Sequence, residues 1–208
     1  MIMKDIKLKN IILAVLGIIV LGLGIGMNNK VGIGVDSLSA TYSGLSIQTG
    51  LSLGTITALC NAVMVVISLI LYKKNVGIAT ILFIFLSKWP VDFGQKMMIQ
   101  SDNMLISIIL CVICVFIIAL GSELFILSDL GADSYTAMTM GIGKRLKHKV
   151  KYVYIRYACD GLFLIIAILL GGQIGVGTII SWAFIGVFMK YIQGVLVRLL
   201  HLETNSKI

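Results

Sequence analysis

Six long apolar segments, separated by short polar stretches, account for most of the 208 residues. They cover residues 10–28, 51–72, 76–95, 104–127, 153–171 and 175–197. Each segment is close to the roughly 20 predominantly apolar residues that a helix needs to cross a bilayer. The pattern therefore predicts an all-α transmembrane fold: a six-helix bundle that forms a single membrane domain over residues 1–208.

The overall composition agrees with this class. Hydrophobic residues make up 59% of the chain and charged residues 12%, and the mean hydropathy is +1.05. Soluble domains carry roughly 25% charged residues, so a soluble protein is excluded. The first segment follows Lys4, Lys7 and Lys9 and therefore has the outline of a secretory signal, but no clear small-residue cleavage site ends it. We predict that it is retained as a helix.

The basic residues are distributed unevenly between the two sides of the predicted membrane. If both termini are cytoplasmic, thirteen Lys and Arg residues lie in cytoplasmic segments and two lie in outer loops. This asymmetry follows the positive-inside rule and predicts cytoplasmic termini. The basic run from Lys144 to Lys151 is expected to rest on anionic lipid head groups. The net charge of +8 therefore indicates a bilayer partner rather than a nucleic acid.

A motif of glycine, aspartate and serine occurs twice. Gly-Val-Asp-Ser at residues 34–37 returns 97 residues later as Gly-Ala-Asp-Ser at residues 131–134. Each copy follows one apolar segment and precedes two more, which divides the chain into two repeats of about 10–98 and about 103–198. Because three crossings is an odd number, the second repeat is expected to be inverted relative to the first, as in many secondary transporters.

Each copy of the motif opens a short stretch with helical spacing. Leu38, Tyr42 and Leu45 recur at i, i+4 and i+7 after the first copy. Asp36 and Asp133 are favoured N-cap residues. We predict a short capped helix in each repeat, either lying at the interface or entering the membrane as a re-entrant helix. Aspartate at such an N-terminus disfavours an anionic substrate, so a cation, a neutral polar solute or a proton fits better.

Several ionisable residues fall inside predicted spans, where each costs on the order of 3 kcal/mol on insertion scales. Arg156 and Asp160 lie four residues apart in the fifth span, and Lys88 and Asp92 have the same spacing in the third. Residues four apart share a helix face, so each pair is expected to form an ion pair. Pro90, between Lys88 and Asp92, is expected to kink the third span and makes this region a candidate gate.

Catalytic and metal-site chemistry are not indicated by the sequence. The four cysteines all lie inside predicted spans and are interpreted as buried thiols: Cys60, Cys111, Cys114 and Cys159. The Cys-x-x-Cys spacing within this set is not accompanied by a second Cys/His cluster. The chain has no G-x-S-x-G elbow and no Walker loop. We therefore expect a protein that is not an enzyme and that has no cofactor and no metal.

The glycine-rich runs resemble those of a bacterial family. These runs are Leu-Gly-Ile-Gly at 23–26, Val-Gly-Ile-Gly-Val-Asp-Ser-Leu at 31–38, Leu-Gly-Ala-Asp-Ser at 130–134 and Gly-Val-Gly-Thr-Ile at 175–179. Together they resemble the YczE/YyaS/YitT group of bacterial multi-pass membrane proteins, from about residue 12 to about residue 195. The resemblance implies a protein of the bacterial plasma membrane and brings no established substrate.

The function that these features favour is a small transporter or a solute-binding membrane subunit. Its site is expected between the two halves, lined by Asp36, Ser37, Asp133, Ser134 and Asp160, with Arg156 poising Asp160. Two other functions stay open. One is a non-transporting protein that regulates or assembles a membrane partner. The other is the substrate-capture component of an energised importer.

Overall fold

The computed structural model describes residues 8–73, 76–131, 133–146, 149–150 and 152–199. In this part of the chain every regular element is an α-helix: α1 (Leu8–Val31), α2 (Ser37–Thr49), α3 (Leu53–Tyr72), α4 (Ile78–Leu86), α5 (Lys88–Met97), α6 (Met104–Leu127), α7 (Ser134–Arg145), α8 (Tyr152–Leu169) and α9 (Val176–Leu199). Four of them, α1, α3, α6 and α9, are long and apolar enough to cross a membrane. The described part of the chain is therefore that of a helical membrane protein.

The third predicted span differs from the single helix that its hydropathy indicates. It consists of α4 and α5, of nine and ten residues, which are separated at Ser87. Pro90 lies in the first turn of α5, and a proline ring displaces the carbonyl group four residues earlier, here that of Leu86 at the end of α4. The segment 76–95 is thus two helices rather than one, and the kink expected at Pro90 is found as a break at Ser87.

The two short helices occur where the sequence predicts them. The Asp36 carboxylate accepts a hydrogen bond from the Ser39 amide at 3.2 Å, at the start of α2. Asp133 accepts one from the Thr136 amide, also at 3.2 Å, at the start of α7. The two aspartates share nearly the same backbone conformation, with φ and ψ of −58° and 161° in one and −60° and 158° in the other. Each satisfies an amide that a helix N-terminus leaves unpaired, so the predicted N-caps are confirmed.

The long helices α1 and α6 pack closely at the centre of the bundle. Gly121 of α6 lies so near α1 that a Cβ there would be 2.6 Å from the Cα of Leu21. Gly24 of α1 lies against α6 in the same manner, because its Cβ would be 3.0 Å from the amide nitrogen of Ile118. Glycine allows this approach because it has no side chain. Gly24 corresponds to Gly121 and Leu21 to Ile118 at a spacing of 97 residues, so the contact is reciprocal.

The other helices surround this central pair. Helix α5 packs against α1, and α9 packs against α6. The short helices cross between the halves, because α2 packs against α8 while α7 packs against α3. Both short helices are largely buried, α2 from Ser39 to Gly44 and α7 over most of its first three turns. Their capped N-termini are thereby held among the long helices of the other half.

Candidate functional site

The first copy of the motif joins the two halves at a close junction. The Gly177 amide at the start of α9 donates to the Ile33 carbonyl at 2.8 Å. Gly34 has a φ of +106° and packs against the backbone of Gly175, where a Cβ would lie 2.9 Å from the Gly175 Cα. This positive φ and the lack of space both require glycine. The loop that leads into α2 is therefore fixed to the loop that leads into α9.

The second copy makes the same kind of junction with the other half. The Ala79 amide at the start of α4 donates to the Leu130 carbonyl at 3.2 Å. Gly131 has a φ of +132°, and a Cβ on it would lie 2.8 Å from the Cα of Gly77. These four residues lie 97 or 98 positions from the four of the first junction. Corresponding residues of the two halves thus make corresponding contacts.

The carboxylate of Asp160 lies where α2, α7 and α8 meet. The Ser37 hydroxyl, at the first residue of α2, donates to Asp160 Oδ1 at 3.2 Å. The Tyr135 hydroxyl of α7 donates to the same oxygen at 2.6 Å. Hydrogen bonds to an ionised acceptor are short and comparatively strong. The N-terminal ends of both short helices, which lie in different halves, are therefore connected through one side chain of α8.

Arg156, one helical turn before Asp160, contacts the same tyrosine. The centre of its guanidinium group lies 5.1 Å from the centroid of the Tyr135 ring, within the range of a cation–π interaction. The Tyr135 hydroxyl also lies 3.4 Å from the Arg156 carbonyl oxygen. Arg156 and Asp160 thus contact the ring and the hydroxyl of one residue. The predicted influence of Arg156 on the protonation of Asp160 stays a prediction. Tyr135 is the residue that contacts both side chains.

Tyr42 of α2 lies buried near both motif aspartates. It is 2% exposed, and Asn61 of α3 is the side chain with which its hydroxyl interacts by hydrogen bonding. Cys60 and the carboxylates of Asp36 and Asp133 also act on this hydroxyl electrostatically. The Tyr42 hydroxyl is therefore a polar group in the same buried region as both motif aspartates.

Asp36 differs from an ordinary surface carboxylate in its affinity for a proton. Burial raises the pKa of Asp36, and the nearby Asp160 carboxylate adds to this rise, while the hydrogen bonds from Ser39 oppose it. Asp36 therefore binds a proton more tightly than an exposed carboxylate does.

The two motif serines have different surroundings. The Ser37 hydroxyl reaches Asp160, as described above. Ser134, at the corresponding position in α7, is fully buried, and its hydroxyl has no hydrogen-bond partner within the described part of the chain. The structure thus brings Asp36, Ser37 and Asp160 together and places Asp133 near Tyr42, whereas the role predicted for Ser134 stays a prediction.

The predicted ion pair between Lys88 and Asp92 is not the arrangement that is found. In the described part of the chain Asp92 accepts hydrogen bonds from the Ser52 hydroxyl at 2.8 Å and from the Gly54 amide at 2.7 Å. Lys88 is exposed. The physical reason is that the N-terminus of α3 offers an unpaired amide and a positive dipole end to the carboxylate. Asp92 therefore fastens α5 to α3, and a gate at Pro90 stays a prediction.

Lys144, the first residue of the basic run predicted to contact lipid head groups, contacts an aromatic ring of the protein itself. The Lys144 ammonium group lies 4.0 Å from the centroid of the Tyr72 ring at the end of α3. This is a cation–π contact between α7 and α3. Lys147, His148 and Lys151 lie outside the described residues. The contact with anionic lipids stays a prediction for the rest of the run.

Sequence reasoning missed Tyr42 and Tyr135 as site residues. Both fall on the apolar stripe of a short helix, where an aromatic ring is explained by packing alone. The available signal is chemical, because a buried tyrosine hydroxyl usually finds a hydrogen-bond partner. A tyrosine on a short helix next to predicted intramembrane acids is therefore a candidate partner of those acids.

Comparison with known proteins gives relatives of similar length. A family model described as "Family of unknown function (DUF6198)" matches residues 8–194. "Uncharacterized protein YyaS" of Bacillus subtilis (strain 168) is 25% identical over 186 residues, which are 88% of this chain and 92% of that protein. An "Uncharacterized protein" of Haemophilus influenzae is 24% identical over 194 residues, which are 93% and 88% of the two chains. No solved structure matches the chain. The resemblance to YczE/YyaS-like proteins is confirmed.

Proposed function

The chain belongs to the DUF6198 family of unknown function, and from its contacts we propose that it is a small transporter or a solute-binding subunit of the bacterial plasma membrane. One observation carries the proposal. The N-terminal ends of α2 and α7 meet on the carboxylate of Asp160, through Ser37 and Tyr135. A proton or a solute that binds Asp160 therefore acts on both short helices, and hence on both halves, at the same time.

Six membrane crossings arranged as two inverted repeats, about 10–98 and about 103–198, are part of this proposal. The matching junctions at Gly34 and Gly131 support it. So does the reciprocal contact between α1 and α6, because a two-fold axis relates residue i against j to residue j against i. In this arrangement both termini are cytoplasmic, and α2 and α7 are re-entrant helices that enter from opposite sides.

The charges around the centre favour a ligand that is a cation or that donates hydrogen bonds. Asp36, Asp133 and Asp160 supply three carboxylates, against the single guanidinium group of Arg156. The N-termini of α2 and α7, which would otherwise attract an anion, are already capped by carboxylates. The buried hydroxyl of Tyr42 adds a further polar group. Small amines, polyols and protons therefore fit this centre better than phosphates or carboxylates.

Ligand-dependent thermal stability of the purified protein tests the site. The probes are ethanolamine, putrescine, choline and glycerol. A ligand that binds the folded state raises its apparent unfolding temperature in proportion to the logarithm of its concentration above Kd. We expect at least one probe to do so, and Asp160→Asn to abolish the shift. The matched control is Asp102→Asn, because Asp102 is exposed between α5 and α6. A shift that persists in Asp160→Asn contradicts the proposed site.

Movement of the same probe into proteoliposomes separates the functional alternatives. Accumulation by the protein alone supports a transporter. Binding without accumulation supports the substrate-capture component of an importer, and co-purification with a cytoplasmic ATPase then distinguishes that function. If no probe binds and charge reversal of the basic run from Lys144 to Lys151 changes the behaviour of a membrane partner, the regulatory function replaces the proposal.

A further inference from the structure

In the first half of the chain, the helices before and after residues 73–77 are packed against each other. Helix α3 packs against both α4 and α5. Gly54 of α3 lies directly against the Lys88 carbonyl, and the carboxylate of Asp92 binds the Ser52 hydroxyl and the Gly54 amide. These contacts leave no space between α3 and α5 near the start of α3.

In the second half, the corresponding helices α8 and α9 are apart. Within the described residues they do not pack along their length, although the rings of Tyr157 and Trp182 approach to 6.4 Å. A Cβ added at Gly161 of α8 or at Gly186 of α9 would meet no atom of another helix within 4 Å. Helix α9 is also less buried than α3. In the most apolar stretch of each helix, the buried share of residues is 11% for α9 and 44% for α3. We call this space the α8–α9 seam.

The replacement of an acid by a base accompanies the difference between the two halves. The spacing of 98 residues that relates Gly77 to Gly175 also relates Asp92 to Lys190. Asp92 fastens α5 to the N-terminus of α3, whereas Lys190 is exposed. A lysine cannot accept a hydrogen bond from a helix amide, so the second half lacks this fastening.

The seam lies beside the proposed centre. Tyr157 and Gly161 are four residues apart on α8, and Trp182 and Gly186 are four apart on α9, so each pair occupies one helix face. Asp160 lies three residues after Tyr157 and is therefore its neighbour on the helix surface, and it keeps partial exposure. The walls of the seam are aromatic and aliphatic, with Trp182 and Ile179 each 68% exposed. Arg156 lies to the side of α8 that faces Tyr135.

We propose that the α8–α9 seam admits the substrate from the bilayer, and that this substrate is an amphiphile with an amine head group. The inference rests on the proposed function and specifies its substrate class. The apolar walls suit a hydrocarbon chain, because the seam opens where the long helices face lipid. The carboxylate of Asp160, next to Tyr157 on the surface of α8, suits an ammonium group, since a charge pair is strengthened away from water.

Quenching of tryptophan fluorescence in phosphatidylcholine nanodiscs tests this inference. Trp89→Phe leaves Trp182, in the seam, as the only tryptophan of the chain. The probes are stearylamine with a nitroxide on its chain and stearyl alcohol with the same label. We expect the amine to quench saturably at about one tenth of the alcohol concentration, the preference that an added charge-assisted hydrogen bond gives. Asp160→Asn should remove the difference, and Asp102→Asn should keep it.

A substitution that fills the seam separates access from the centre itself. Gly186→Phe places a ring in open space within the seam, and Gly194→Phe places one in open space further along the same helix. The first should weaken quenching by the labelled amine about tenfold or more while leaving any ethanolamine-induced thermal shift unchanged. The second should leave both measurements as they are in the parent protein.

Three outcomes would overturn the inference. Equal quenching by the amine and the alcohol in the parent protein makes the seam an ordinary lipid-facing surface, and an ethanolamine shift that depends on Asp160 then leaves the proposed function standing. Loss of both that shift and the amine preference removes the inference and the proposed centre together. Shielding of Trp182 from both labels, with cross-linking of copies that carry Trp182→Cys, makes the seam an interface between two copies of the chain.

Discussion

The two halves of the molecule share the junctions at Gly34 and Gly131. They differ in the packing between α3 and α5 in the first half and between α8 and α9 in the second. Gly34 and Gly131 have positive φ values and press against glycines at the start of a helix in the opposite half. By contrast, Asp92 fastens α5 to α3, while its counterpart Lys190 is exposed and the α8–α9 seam is open. The glycines of the two junctions are thus duplicated, whereas the acid that fastens α5 to α3 is not. Two halves with the same junctions can therefore differ in how closely their other helices pack.

The largest effect is expected where the halves are alike. Gly34→Ala and Gly131→Ala each add the cost of a left-handed backbone to a clash with a neighbouring backbone, about 3 kcal/mol or more in total. Gly50→Ala has a similar φ of +70° but meets no atom within 4 Å, so it should cost about 1 kcal/mol. Unfolding by SDS in mixed micelles measures all three. Equal costs at Gly34 and Gly50 would show that the junction tolerates a methyl group.

A second comparison concerns the hydrogen bonds that the two short helices donate to Asp160. Tyr135→Phe removes the bond of 2.6 Å while keeping the ring beneath Arg156, and should destabilise the protein by about 2 kcal/mol. Ser37→Ala removes the longer bond of 3.2 Å and should cost about 1 kcal/mol. The same SDS titration ranks them. A larger effect at Ser37 would reverse the assignment of α7 as the principal partner of Asp160.

The difference between the packed helices α3 and α5 and the open α8–α9 seam can be tested at Asp92 and Lys190. Asp92→Asn weakens a charge-assisted bond to the start of α3 and should cost about 1–2 kcal/mol. Hydrogen exchange at the Gly54 amide should then become faster. Lys190→Gln changes an exposed side chain and should stay within about 0.5 kcal/mol. A comparable loss of stability in Lys190→Gln would mean that α8 and α9 are fastened to each other as well.

The smallest effect concerns the pH dependence contributed by one motif acid. Because the folded state raises the pKa of Asp36 above its ordinary value of 3.8, it binds this proton more tightly than the unfolded chain does. The contribution of Asp36 to stability is therefore greatest below pH 3.8 and declines as the pH rises through the folded pKa. Asp36→Asn keeps an N-cap and should remove this decline. Unfolding temperatures across acidic to neutral pH check it, and an unchanged slope in the variant would assign the decline to other groups.

Local features of the fold were predictable from the sequence, and contacts between distant segments were not. The caps at Asp36 and Asp133 were predictable because an N-cap depends on the next three residues alone. The partner of Asp92 was not predictable. The four-residue spacing to Lys88 gives information about one helix only, whereas the Gly54 amide, 38 positions earlier, competes for the carboxylate. Tyr135 was missed for the same reason, because its contact with Asp160 requires α7 and α8 to be folded together.

The junction at Gly34 also bears on how the chain is made. Its partner, Gly175, precedes α9, far along the chain from α2. During synthesis the Ile33 carbonyl therefore cannot pair with the Gly177 amide until 144 further residues (177 minus 33) have been added. The second junction is less demanding, because Gly77 is already present when Gly131 emerges. The second junction can therefore form during synthesis before the first.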